Sequence, residues 1–385
     1  MGRSRRLAWV LLGLLLLLAL DQTQRDQPAP EPRGAWLDST PAAPALPKAW
    51  VKTGGGLIPM PADTPAAHAS TLLALGSASP SSVMAFWFAG SRESGPDVQI
   101  AMSHFDRQSQ AWQAARFVVQ RDAAWQRTDY GLRRLGNPVA WRDAAGRIHL
   151  FVVGTGLGGW AAGRVVHYVQ KQMATPNELQ FRFEGVLPLS WLWNTSHLVR
   201  AMPLPLEDGG MVLPVYFELG RKYSVALRFD AQGRFLGMTR MSQRPYLLQP
   251  TLLMTSPTDW LALMRDNSPD NILRLAHSRD AGRTWADLPD SPLRNPDASV
   301  VGLSVRPGLH FLAHNPRPDS RAELRLSQSA DGLTWQPLAT LAQAQGEGRF
   351  EYSYPSMAWV DGSVWVSYTD QRRAIAWQRY SPGTP

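Results

Sequence analysis

The sequence predicts an all-β chain, a six-bladed β-propeller behind a short hydrophobic N-terminal segment. Three observations predict it. First, SRDAGRTW (278–285) follows the alternating run ILRLAHS and has the form Ser-x-Asp-x-Gly-x-Thr-Trp. Second, a shortened copy, SADGLTW (329–335), follows RAELRLSQS about 50 residues later, a period that marks repeated four-stranded units. Third, 16 Trp with 31 Gly and 31 Pro suit many short strands and turns better than helices.

Each residue of the motif has a turn-making use. Asp accepts hydrogen bonds from its own backbone two residues on, Gly tolerates positive φ, and Trp supplies a large apolar anchor. The motif therefore reports architecture, and the chemistry must be sought elsewhere.

At the start of the chain, Arg3, Arg5 and Arg6 precede the apolar run 7–20. That is the form of an export signal, and the run is short for a full bilayer crossing. Leu18-Ala19-Leu20-Asp21 makes a poor cleavage site, so residues 1–20 are read as either a signal peptide or a retained membrane anchor. Both place the rest outside the cytoplasm, in the periplasm or exported, and an anchor would sit in the inner membrane. Residues 21–47 are polar and Pro-rich, a linker, and residues 48–385 form the propeller.

Beyond residue 48, short apolar or alternating runs recur between Gly, Asp, Pro and Ser. They fall into six groups, at 68–118, 137–188, 198–241, 248–289, 298–340 and 352–381. The last group is short, and AWVKTGGGLI (49–58) could close it, removing the exposed edges of an open ring. SHFDRQSQAW (103–112) and FDAQGRF (229–235) occupy the positions of degenerate copies of the turn motif. GTGLGG (154–159) fits a dinucleotide-binding pattern, but the following WAAGRVVHYVQ has strand texture where a helix would be needed. Those glycines are read as a loop at the pocket mouth.

A formal charge of +8 favours acidic partners. No aromatic-interleaved Lys/Arg run points to nucleic acid. With no cysteine, neither disulfides nor thiolate metal sites are possible. No His pair has ligand spacing, no nucleophile elbow is present, and no metal or cofactor is implied. A monomer is expected.

Charges on otherwise apolar inner strands demand explanation, because an unpartnered buried charge is expensive. GSRESGPD (90–97) supplies Arg92 and Asp97, LALMRD supplies Arg265, AHNPRPDSRAEL supplies Asn315 and Arg321, and SYTDQRR supplies Arg372 or Arg373. Arginines converging from different blades would form a two-pronged carboxylate clamp, with surface or inter-blade ion pairs as the structural alternative. Asn137, Trp160, His167, Asn194, Tyr216, Asn267 and Asn315 lie near strand ends and could read sugar hydroxyls.

The order of these features resembles the bacterial sialidase-like family with BNR (Asp-box) repeats, over residues 65–380: SRE…D, then Gln-Pro-Thr (249–251), Arg265 before one Asp-box, Arg321 before the next, and Tyr-Pro-Ser (354–356). The resemblance implies arginines holding a substrate carboxylate, a loop Asp as acid/base and a Tyr nucleophile activated by a Glu. Arg265 and Arg321 take the places of two triad arginines, Asp97 that of the acid/base, and Tyr354 that of the nucleophile, with Tyr352 as the fallback. Two positions depart. His68 stands where the first arginine is expected, and Gln249 stands where the Glu is expected. Gln cannot take a proton from a phenol of pKa about 10. His68 with a carboxylate would be a workable acid/base pair near neutral pH.

The resulting expectation is an exported exo-sialidase-type glycoside hydrolase acting on a terminal acidic sugar of a glycan or polysaccharide. The alternatives are a noncatalytic glycan-binding propeller, a lyase of uronate-containing polysaccharide, and a cell-envelope scaffold for proteins.

Overall fold

A computed structural model describes residues 3–25, 32–38, 46–47, 49–93, 95–120, 132–172, 175–346 and 348–383. Six antiparallel sheets follow one another along the chain, each running outward from an inner strand. The inner strands are Ala66–Ala74, Arg134–Arg142, His197–Val199, Leu247–Met254, Val301–Arg306 and Tyr352–Val360, for blades 1 to 6 in order. The fourth strand of blade 6 is Trp50–Leu57, which pairs with Ala374–Pro382 from Trp50↔Pro382 to Leu57↔Ala376. The N-terminal side of the chain thus closes the ring, as the sequence suggested.

The core is divided in the same way. Each gap between neighbouring blades holds its own cluster of buried side chains. Between blades 6 and 1, Phe105, Trp112, Trp365 and Trp377 meet at ring separations of 4.9–6.5 Å. A sheet faces a neighbour on both sides here, so its strands read as nearly continuous apolar runs such as Ser81–Gly90, which is buried throughout.

The Asp-boxes turn the third strand into the fourth. In blade 4 the Asp280 carboxylate accepts from the Thr284 amide at 2.8 Å and hydroxyl at 2.6 Å, and the Ser278 hydroxyl accepts from the Gly282 amide. Gly282 has φ +83, and an added Cβ would meet the Trp260 ring at 2.8 Å. In blade 5 Asp331 accepts from the Leu333 and Thr334 amides. The degenerate turns use the same device, Asp106 taking Ser109 and Asp230 taking Gln232 and Arg234. All of these turns lie on the lower face, defined as the end where the inner strands finish.

Residues 32–38 cross that lower face as a strap. The Ala35 amide donates to Pro205 and the Asp38 amide to Val305. The remainder of the predicted linker, 26–31 and 39–45, lies outside the described residues. The N-terminal segment forms a helix, Arg3–Arg25, whose Ser4–Thr23 stretch is long and apolar enough to cross a membrane, with mean hydropathy 1.6. It is compatible with a signal or an anchor.

Candidate functional site

One backbone feature recurs in every blade. Within the first four residues of each inner strand, or up to four before it, one residue has positive φ: Ala69 (54), Asn137 (38), Ser196 (68), Gln249 (44), Asp297 (50) and Tyr354 (51). In blades 1, 2, 4 and 6 this residue opens a β-bulge, the register skipping from His68 to Thr71, Gly136 to Val139, Leu248 to Thr251 and Ser353 to Ser356. Two residues then oppose one, so the strand bends and its side chains are re-aimed. Pro138, Pro250 and Pro355 occupy the second bulge position, where no ladder N–H is needed. The outcome is a ring of six left-handed residues around the upper mouth of the axis. Left-handed backbone is unfavourable for residues other than Gly, and such strain concentrates at functional sites.

Polar groups converge on this ring. The Gln249 amide donates to the Tyr354 and Tyr216 hydroxyls, both at 3.4 Å, while its oxygen accepts from Arg265 at 3.0 Å. Arg265 also pairs with Asp297 at 2.5 Å, and Asn267 donates to the other Asp297 oxygen at 2.9 Å. Arg321 donates to the Asp297 carbonyl and to Glu351, at 2.6 and 3.0 Å. Glu351 further accepts from Arg372 at 2.6 Å and from Ser353 at 2.7 Å, and Arg372 pairs with Glu93. Arg200, 3% exposed, donates to the Ser70 and Pro355 carbonyls, tying together the bulges of blades 1 and 6. Its guanidinium carbon lies 5.1 Å from the centre of the Tyr354 ring. His68 also packs on that ring at 4.2 Å between centroids, and neither of its nitrogens has a hydrogen-bond partner among the described residues.

This environment sets the protonation states. Burial raises the Tyr354 phenol, but Arg265, the Gln249 hydrogen bond, Arg321 and Arg200 together outweigh it, so its pKa falls below the usual 10. For Tyr216 burial, with Tyr354 and Glu218 nearby, outweighs the Gln249 hydrogen bond and Arg265, and its pKa is driven well above the usual range. Burial lowers Arg200 to about 10, leaving it charged at neutral pH. Burial opposes the charge of Arg265 as well, but the hydrogen bond to Asp297 more than restores it. His68 is held well below 6.5 by burial and by the positive charges of Arg372, Arg200 and Arg321, so it is neutral. The site thus contains one tyrosine whose anion is favoured and a histidine that stays uncharged.

The residues singled out from the sequence fall in different places. Tyr354, Gln249, Arg265, Arg321, His68, Tyr216 and Asn267 meet at the ring, and Asn137 is the bulge residue of blade 2. Arg92 lines a narrow crevice with His68, Glu93 and Arg372 at its rim. Asp97 is exposed, and its carboxylate accepts from the Ser91 amide at 2.7 Å and hydroxyl at 2.8 Å, shaping its own loop. Asn315 is fully buried and links the Glu323 and Tyr352 carbonyls across blades 5 and 6. Tyr352 packs with the core between those blades. His167 bonds to His149 and stacks on Phe151, Asn194 holds the Leu187–Leu189 turn, and Trp160 covers Gly136. Arg373 is exposed. Sequence reasoning did not single out Arg200, Asp297 or Glu351. Arg200 carried a signal, a lone charge in the otherwise apolar inner-strand run LVRAMPL.

The axis opens differently below. An apolar cavity of about 240 Å³ is lined there by five of the inner strands, including Leu72, Trp141, Leu252, Leu303 and Met357, and by Met202 just beyond the inner strand of blade 3. Arg142 is the one charged residue in its lining, whereas four arginines gather at the upper ring, so the upper ring is the candidate site.

Comparisons with known proteins agree with the propeller fold. A family model described as a BNR repeat-like domain matches residues 81–366. Among solved structures, the Hadza microbial sialidase Hz136 superposes with a TM-score of 0.65 at 16% identity, covering 82% of this chain and 65% of that one. The Trypanosoma rangeli sialidase in complex with sialic acid gives 0.63 at 12% identity, covering 88% and 60%. A protein of unknown function from Dyadobacter fermentans gives 0.64 at 12% identity, covering 87% of this chain and 100% of that one. The chain therefore spans about two thirds or less of the two sialidases' lengths. A search of curated proteins finds no match.

Proposed function

The chain belongs to the BNR repeat-like domain family, and on that premise we propose that its upper ring binds a terminal acidic sugar and acts on it as a sialidase-type glycosidase. The sialidase-like propeller supports a sialidase-like or glycan-binding role in general. The observation that carries the finer reading is a buried phenol of lowered pKa set among Arg200, Arg265 and Arg321. Arg265, Arg321 and Arg372 hold the sugar carboxylate, since guanidinium matches carboxylate in two-pronged fashion.

In this reading the Tyr354 oxygen attacks the anomeric carbon as the glycosidic bond breaks, and water later releases the sugar from tyrosine. The protein has no carboxylate at position 249 to take the phenol proton. The Gln249 N–H and the arginines instead stabilise the phenolate. Asp97 is the candidate to protonate the leaving oxygen, and to do so it must leave Ser91. Export is part of the proposal, resting on the apolar helix at the N-terminus.

A second reading, a glycan-binding propeller without catalysis, is favoured by Gln249 and by the attachment of Asp97 to its own loop. One panel separates them. The protein is assayed on sialosides and on uronate-containing oligosaccharides, alongside Tyr354→Phe and Asp97→Ala. Turnover lost in Tyr354→Phe supports the glycosidase. An acidic sugar bound, recovered intact and released by Arg321→Lys supports the binder. Absence of both binding and turnover rejects the site.

A further inference from the structure

The upper face carries a second feature that the acidic-sugar site does not use. Leu157, Trp191, Leu192, Trp193, Leu219 and Tyr246 are all solvent-exposed, Leu157 at 75% and Trp191 at 55%. They come from four separate segments. Leu157 lies in the turn after Thr155, which pairs with Arg134 at the start of an inner strand. Trp191–Trp193 lie in the loop leading to Ser196, whose hydroxyl donates to the Ala161 carbonyl of that turn. Leu219 follows Phe217, the partner of His197, and Tyr246 immediately precedes the inner strand of blade 4. All six therefore stand on the upper face over blades 2 to 4. The described residues of the loops over blades 5, 6 and 1 on the same face include the charged Arg317, Asp319, Arg92 and Glu93.

The N-terminal helix leaves the propeller at this patch. Asp21, 4% exposed, accepts from the Ser190 hydroxyl, which lies 3.0 Å from each of its carboxylate oxygens and one residue before Trp191. The helix also packs against the outer strand Phe235–Arg240 of blade 3. From Ser4 to Leu20 its side chains are exposed apart from a half-buried Gly13, so only its last turns are docked. The apolar run 7–20, with its flanks to Ser4 and Thr23, makes a stretch long enough to cross a bilayer, and the run ends at Asp21. If those residues lie in a bilayer, the water boundary falls at Asp21, and so at the Trp-Leu-Trp loop. Trp and Tyr favour that boundary because their rings are apolar with one polar edge. Exposed Arg133 and Arg221 beside the patch suit anionic headgroups.

We propose that Leu157, Trp191–Trp193, Leu219 and Tyr246 seat in the interface of the bilayer that the helix crosses, turning the mouth of the axial ring toward the lipid surface. The occupant of the patch is lipid. Resting on the function proposed above, the substrate class is then an acidic sugar displayed close to a membrane.

The chain has no cysteine, so single labels are unambiguous. The full-length chain is reconstituted into vesicles of phosphatidylcholine and phosphatidylglycerol. It carries an environment-sensitive fluorophore at Leu192→Cys or, as control, at Leu333→Cys, exposed in the lower-face Asp-box of blade 5. The probe at 192 should be blue-shifted and quenched by doxyl-labelled lipid at least about threefold more than the probe at 333, as expected for an interfacial loop. Equal, water-like signals at both positions overturn the proposal. A probe at 192 that is shielded but not quenched by lipid also overturns it, in favour of a protein partner. This readout needs no substrate, so it stands or falls separately from the glycosidase reading. A Trp191→Ser/Trp193→Ser variant then tests the substrate class. Turnover of a vesicle-borne acidic glycolipid should fall about tenfold while the same headgroup in free solution is handled unchanged. Equal loss on both rejects the membrane-borne substrate.

Discussion

Replacing Arg200 by Gln should raise the pKa of the Tyr354 phenol. Arg200 lies 5.1 Å from the ring centre, and both groups are buried. At an effective dielectric of about 20, a unit charge at that distance acts with roughly 3 kcal/mol, which is about two pKa units before the site relaxes. Relaxation and the partial withdrawal of charge toward the Ser70 and Pro355 carbonyls reduce this to about one unit. The assay is an ultraviolet titration of phenolate absorbance, with the Tyr354→Phe titration subtracted so that only this tyrosine of the chain's nine is seen. Arg200→Lys separates charge from scaffolding. It keeps the cation but loses the two-carbonyl fork, so the phenol should stay depressed even if the fold loosens. A midpoint that is unchanged or lower in Arg200→Gln refutes the electrostatic account of this site. So does an equal rise in Arg200→Lys.

Gln249→Glu places a negative charge beside the phenol and should raise its pKa by about one to two units in the same titration; a fall would mean that the Gln249 N–H is not what favours the phenolate. If hydrolysis is the function, the same variant gains a proton acceptor, and turnover at neutral pH should rise in a sialoside assay. Arg321→Lys loses the planar fork that meets Glu351 and the Asp297 carbonyl, and calorimetry should show acidic-sugar affinity falling about 10- to 100-fold. Acid should destabilise the fold through its buried histidines. His167 sits near 3 and His310 and His314 near 4, each lowered by burial, against 6.5 in the unfolded chain. The unfolded chain therefore takes up protons first. Stability is whole above pH 6.5 and is lost as pH falls below it, by about 2 kcal/mol for each histidine at pH 5. Thermal melts across this range should show the loss, and His314→Asn should reduce its slope.

The blades were legible because their signals are local. Alternating strands, the Ser-x-Asp-x-Gly turns and Pro/Gly punctuation each act within a few residues, and the closing strand 50–57 was visible as an unpartnered run beside a short last group. The site was legible only in part. Arg265, Arg321 and Tyr354 stand at fixed places relative to Asp-boxes and a Tyr-Pro-Ser segment. Arg200 has no flanking motif, and its importance arises from bulges 130 and 155 residues away in the chain. The positive-φ ring had a partial trace in Asn-Pro, Gln-Pro and Tyr-Pro, while Ala69, Ser196 and Asp297 have none. Asp297 and Glu351 look like ordinary loop acids until the arginines they neutralise are brought beside them.

The charges at the ring lead to a further test. Leaving aside the exposed Arg92 at the rim, Arg200, Arg265, Arg321 and Arg372 face Asp297, Glu351 and Glu93, four guanidinium groups against three carboxylates. One positive charge is left over, and two anions compete for it: the Tyr354 phenolate and the carboxylate of a bound sugar. Each must therefore weaken the other, and the coupling is reciprocal. A bound carboxylate raises the phenol pKa, and ionising the phenol lowers affinity for the carboxylate by the same factor. Affinity for an acidic sugar should then fall as pH rises through the phenol midpoint, by about tenfold if the coupling is about one pKa unit. Tyr354→Phe should abolish that dependence. Affinity that is flat with pH in the wild type would mean that the sugar and the phenol do not share the excess charge. The coupling also separates the two functional readings. A glycosidase needs the phenolate while the carboxylate is bound, and must supply a further cation or proton donor. A binding protein needs only the neutral phenol, which the bound sugar itself enforces.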